Sequence, residues 1–139
     1  MLVTTIEIAR PPSEVWALAT DPRRFAEWQR DVVGVELLDG SRFTTTRRVA
    51  GRPRTMTQRI THDDPFRHWS AEALDGPVRP RASVTIEPIS DGAGSRVTFT
   101  LDFDASGFGA ALVPLVTRQA RHTAPQSYET LKRLLEGAG

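Results

Sequence analysis

The sequence predicts an α+β fold: a seven-stranded curved antiparallel sheet around one long C-terminal α-helix, with two short helices between strands 1 and 2. Three observations predict it. Between Asp31 and Asp104 the hydrophobic period is two, and turn signals recur at hairpin spacing. From Val113 to Leu134 the apolar residues step by three and four, the period of a helix with one buried face. Two proline-led helix starts, Pro11-Pro12 and Asp21-Pro22, stand between the first strand and the rest. The 139 residues, 39% hydrophobic and 25% charged, suit one globular domain over 1–139.

The first strand covers Leu2 to Ile8, with Leu2, Thr4, Ile6 and Ile8 on one face and Glu7 on the other. Proline suits a first helical turn, where its missing N–H costs nothing, so residues 13–19 form a short helix presenting Val15, Leu18 and Ala19. Asp21 caps a second one through Phe25 to Trp28. The following strands are expected at 32–38, 42–49, 54–61, 66–74, 81–87 and 96–104. Asp39-Gly40, Ala50-Gly51, His62-Asp63-Asp64-Pro65, Asp75-Gly76-Pro77 and the 90–94 loop separate them. The last is the clearest, with Val97, Phe99, Leu101 and Phe103 facing away from Thr98, Thr100, Asp102 and Asp104. Hairpins this short leave no room for parallel crossovers.

A helical segment then runs from about Gly107 to Glu136. Its stripe is Val113, Val116, Ala120, Ala124, Ser127, Leu131 and Leu134, with Arg118, Arg121, Glu129 and Lys132 opposite. Pro114 and Pro125 both fall on its solvent side, and the expected bend is concave toward the sheet.

Composition excludes several function classes. A net charge of +1 gives no field for nucleic acid, even though 17 of the 18 basic residues are Arg, because they are scattered and balanced by 17 acids. With no Cys there is no disulfide, thiolate nucleophile or Cys-based zinc site. The start has no basic region followed by an apolar one, and the longest mostly apolar run, 108–116, is too short to span a bilayer. A cytoplasmic protein with no membrane span and no cofactor is the expectation, its oligomeric state open.

The order of strand, two short helices, six-stranded meander and long closing helix is the helix-grip pattern. Residues 6–18, Ile6-Glu7-Ile8-Ala9-Arg10-Pro11-Pro12-Ser13-Glu14-Val15-Trp16-Ala17-Leu18, resemble the opening of the polyketide cyclase/dehydrase and lipid-transport superfamily of START-like domains. Asp21-Pro22-Arg23-Arg24-Phe25-Ala26-Glu27-Trp28 looks like its second helix, and 109–114 with 118–132 like its closing helix. The resemblance covers essentially the whole chain. It implies a cavity between sheet and helix, with the second short helix at its mouth. The superfamily includes cyclases, carriers and chaperone-associated domains, so chemistry stays open.

The stripe of the long helix is bulky at both ends and thin at Ala120, Ala124 and Ser127. Native packing density requires that space to be filled, by a sheet side chain such as Trp69 or by a ligand. The candidate ligand-binding residues are Phe25 and Trp28 on the second helix, Arg47, Met56, Gln58, Trp69 and Phe99 on the sheet, and Val116 and Ala120 on the long helix. Trp16 reads as support for the core. Glu72 could join Arg47 and Gln58 in an interior cluster, but it stands three positions from Trp69, so a regular strand turns them to opposite faces. With Trp69 inward, Arg47 reaches solvent at the rim or meets an anionic ligand group.

No catalytic constellation emerges. His62 reads as part of a solvated turn, His122 lies on the polar flank of the helix, Tyr128 falls near the side opposite the stripe, and no metal-ligand spacing occurs. The leading expectation is a module that binds a hydrophobic small molecule: a lipid, polyketide or aromatic metabolite. The alternatives are a cyclase or dehydratase, which needs an ionisable group in the cavity, and a protein-interaction domain, which needs an exposed apolar patch.

Overall fold

In the computed structural model, which describes residues 1–49 and 51–137, the alternating segments pair into one seven-stranded antiparallel sheet. The strands are β1 (Leu2–Ile8), β2 (Val32–Leu37), β3 (Arg42–Val49), β4 (Arg52–Asp64), β5 (His68–Ala73), β6 (Val78–Ile89) and β7 (Gly94–Ala105). They lie in the order β1-β7-β6-β5-β4-β3-β2. Strands 1 and 2 are thus opposite edges, and α1 (Pro12–Ala19) and α2 (Phe25–Trp28) carry the chain between them. Ala50 of the expected Ala50-Gly51 turn, and residues 138–139 of the expected domain, lie outside the described residues.

Three strands are longer than their sequence pattern suggests, and for two of them proline explains why. Pro53, Pro80 and Pro88 lie in parts of β4 and β6 that extend beyond one neighbour, so only one side needs a ladder N–H. β4 also continues through His62, Asp63 and Asp64, which are strand residues and not the expected turn. The register shift between Ile60 and His62 allows it: Thr61 is the extra residue, and both Thr61 and His62 bond the Ser70 hydroxyl.

The C-terminal helix also starts later than expected. Residues Gly107–Leu112 form 3-10 turns, and α3 runs Val113–Gly137. Pro114 therefore sits in the first turn, where no backbone bond is lost, and Pro125 is the interior proline. Both are exposed, as the spacing predicts. At the far end the buried series is Ser127, Leu131 and Leu135, stepping by four, and Leu134 is turned to solvent. Gly109 is buried in the 3-10 turns, and a Cβ there would lie 2.1 Å from the Pro77 carbonyl oxygen. Only glycine permits the approach of this segment to the turn between β5 and β6.

The core fills the concave side of the sheet. Ile8, Val15, Leu18, Phe43, Val97 and Leu131 are almost wholly buried, tying β1, α1, the sheet and the second half of α3 together. The convex side is polar, with hydroxyl pairs Thr5–Thr98, Thr46–Thr55 and Ser83–Thr100 across strands.

Candidate functional site

Between the sheet and the first half of α3 the core gives way to a cavity of about 590 Å³. Sheet curvature and helix composition produce it together. Leu131 and Leu135 pack against the sheet at one end, whereas Ala120 and Ala124 put only methyl groups opposite it at the other. Ser127, the third thin residue, ties α3 to the segment after α2, because its buried hydroxyl accepts the Arg30 N–H at 3.1 Å.

All nine sequence-predicted site residues line this one cavity. Phe25 and Trp28 of α2 are buried walls, with 3% and 4% of their surface exposed. Phe25 meets Phe43, Trp69 and Trp28 edge-on with ring centroids about 6 Å apart. Trp69 is buried from β5, and Phe99 from β7. Met56 is half-buried on β4, and Val116 and Ala120 close the cavity from α3. Tryptophan therefore furnishes walls and leaves the hollow open. Among the described residues, Trp28 Nε1 is the one buried side-chain polar atom with no hydrogen-bond partner.

Trp69 faces inward and Glu72 outward, as strand alternation predicts, so no interior cluster of Arg47, Gln58 and Glu72 forms. Gln58 is buried, and its Oε1 accepts from the equally buried Thr45 hydroxyl at 2.7 Å. Glu72 is on the convex face, 2.7 Å from Arg59. Alternation along β5 is regular, so Trp69, Ala71 and Ala73 point inward and Glu72 cannot follow. Arg47 does not join Gln58 and is paired within the protein. It is half-buried, with Nη1 3.0 Å from Asp31 and Nη2 donating to Gln29 Oε1. The partner is local to the sheet: Asp31 precedes β2, and its carbonyl accepts the Arg48 N–H next to Arg47 at 2.8 Å. A paired guanidinium is the expected state at a partly desolvated position.

Tyr128 is the residue that sequence reasoning missed. Placed by helical angle near the side opposite the stripe, it instead lies against the cavity wall, stacked on Phe99 and tilted over Trp28. Burial pushes its phenol up to about 12, opposed by the nearby Arg47 charge. At neutral pH it is a hydrogen-bond donor and not a base. The signal available was its position one residue beyond the buried Ser127, close enough for a long ring to reach the wall.

His62 is exposed on β4 with its ring beside that of His68, which bonds Thr85. His122 is exposed on α3. Among the described residues no group of three or more His, Cys, Asp or Glu side chains converges as a metal site would require. No described helix is long and apolar enough to cross a membrane.

This architecture is shared with known proteins. The Zhui aromatase/cyclase from Streptomyces superposes with a TM-score of 0.83 at 18% identity, over 99% of this chain and 96% of that one. A START superfamily protein from Mycobacterium smegmatis gives 0.79 at 15% identity, over 99% and 98%. At such identities the likeness is one of fold. An uncharacterized protein of Mycobacterium tuberculosis is 31% identical over 112 residues, 74% of this chain and 47% of the relative, so the chain spans about half the length of that curated protein. The family model described as polyketide cyclase / dehydrase and lipid transport matches residues 2–136. With a helix-grip fold, an interior cavity and a family match along nearly its whole length, the chain belongs to the polyketide cyclase / dehydrase and lipid transport family.

Proposed function

We propose that the protein binds a hydrophobic small molecule, a lipid, polyketide or aromatic metabolite, in the cavity between the sheet and α3. The observation that carries this reading is the unfilled space of about 590 Å³ under Ala120 and Ala124, walled by Trp28, Trp69, Phe99 and Met56. That size and apolar lining with a few placed polar groups are usual for small-molecule sites. The polar convex face favours this reading over a protein-interaction surface on that side of the sheet. Native mass spectrometry of gently purified protein, followed by titration of dodecanol and 2-naphthol against the buried tryptophan fluorescence, tests it. A retained mass or saturable quenching is expected. Protein that is empty as isolated and silent to both probes overturns it.

A second reading, chemistry on a polyketide-like chain, is favoured by one observation: the Tyr128 phenol, neutral at physiological pH, lies in the cavity wall near the Arg47–Asp31 pair. Such a group can donate a hydrogen bond to a carbonyl oxygen and polarise it during cyclisation or dehydration. The likeness to an aromatase/cyclase supports it by analogy of fold alone. Turnover of a polyketide mimic that disappears in Tyr128→Phe, with binding retained, would support it; no turnover by the wild-type protein would remove it.

A further inference from the structure

Five arginines of this sheet, Arg42, Arg47, Arg59, Arg81 and Arg96, are each paired with an acid. Arg42 and Arg59 stand directly opposite on β3 and β4, a like-charge pair that costs stability unless compensated, and each has its own acid, Asp39 and Glu72. Arg81 lies between Asp102 and Asp104, and Arg96 between Glu7 and Glu87. A second directly opposed arginine pair is matched on one side only. Arg47 and Arg54 are also directly opposite, on the concave side, and both line the cavity. Arg47 has Asp31, but Arg54 has no hydrogen-bond or ion-pair partner among the described residues. Arg52, opposite Val49 on the same face, has none either. The remaining acid in the lining, Asp75, has Oδ1 3.0 Å from the Thr57 N–H, which it accepts. The cavity lining thus holds two guanidiniums and two carboxylates, but Asp31 is taken by Arg47 and Asp75 by the Thr57 N–H, so the exposed Arg54 is the unmatched charge.

We infer that the cavity takes an amphiphile with an anionic end, a carboxylate or phosphate held at the mouth by Arg54 beside Arg47, with its apolar body against Trp69, Phe99 and Ala120. This rests on the binding reading above and adds the chemical class of the ligand. A guanidinium presents two parallel N–H donors to such a group, and charge-assisted bonds are roughly twice as strong as neutral ones. An incoming anion supplies the counter-charge that the sheet provides for its other opposed arginine pair, Arg42 and Arg59.

Dodecanoate, dodecyl phosphate and dodecanol share one tail and differ in the head, so their affinities read the mouth separately from the cavity. In wild-type protein the two anions are expected to bind roughly tenfold tighter than dodecanol, a ratio that shrinks as salt rises. Arg54→Gln brings the ratio to about one, and Arg54→Lys restores part of it. Equal affinity of anion and alcohol for the wild type, or a ratio unchanged by Arg54→Gln, overturns the inference while leaving the cavity reading intact. Failure of all three probes overturns both. Sedimentation with phosphatidylglycerol vesicles separates the sources of the anion: with the soluble anions bound, additional Arg54-dependent pelleting with vesicles assigns it to a bilayer headgroup, and no pelleting to a soluble amphiphile.

Discussion

The ring of Tyr128 lies flat on that of Phe99, centroids 3.9 Å apart and planes 11° from parallel, joining the middle of α3 to the sheet. This is the only tyrosine in the chain, so its ionisation can be followed at 295 nm without interference. A midpoint near 12, not the usual 10, is expected, because burial opposes the phenolate. The raised value means that the neutral phenol stabilises the fold fully below about pH 10, and that this contribution is lost as pH rises through about 12. A midpoint at 10 in folded protein would mean that Tyr128 is solvated.

Ala120→Phe should occupy the cavity from the helix side. Extra methylenes are costly in a packed core, typically about 1–3 kcal/mol, but here the ring enters open space. The expected result is a melting temperature equal to or above the wild type, with affinity for dodecanol lowered at least tenfold. Calorimetric melting and fluorescence titration check the two halves independently.

Thr45→Val removes the donor to Gln58 Oε1 at a site where both residues are buried. An orphaned buried acceptor costs about 1–3 kcal/mol, whereas removing both partners is close to neutral. In urea unfolding, Thr45→Val should therefore lower stability by about that amount, and Thr45→Val combined with Gln58→Leu should recover most of it. Additive losses would show that the bond contributes little.

Gly109→Ala forces a methyl group to within 2.1 Å of the Pro77 carbonyl oxygen, a backbone atom that cannot step aside alone. A loss of at least about 1–3 kcal/mol is expected, the usual cost of overpacking. Gly40→Ala, whose added Cβ meets nothing within 4 Å, is the control.

Strand number, hairpin order and the two short helices were legible because each rests on local signals: period-two alternation, turn dipeptides and proline-led starts. The thin centre of the α3 stripe was legible for the same reason, and with it the cavity-facing positions of Val116 and Ala120. What escaped depends on contacts between distant segments. Asp31 meets Arg47 only because β2 folds back along β3, and nothing near either residue announces the other. Strand ends escaped where proline, normally a terminator, lies beyond the second neighbour, as at Pro80. Tyr128 and Leu135 escaped because helical angle assigns a face to the backbone, whereas a long side chain can lean across the boundary.

Residues 2–8 find their hydrogen-bonding partners at 95–101. A ribosome must therefore release residues 95–101 before β1 has anything to zip onto, and until then its Leu and Ile side chains stay available to wrong associations. Productive closure waits on the last hairpin, which makes late, cooperative completion the natural kinetic habit of this topology.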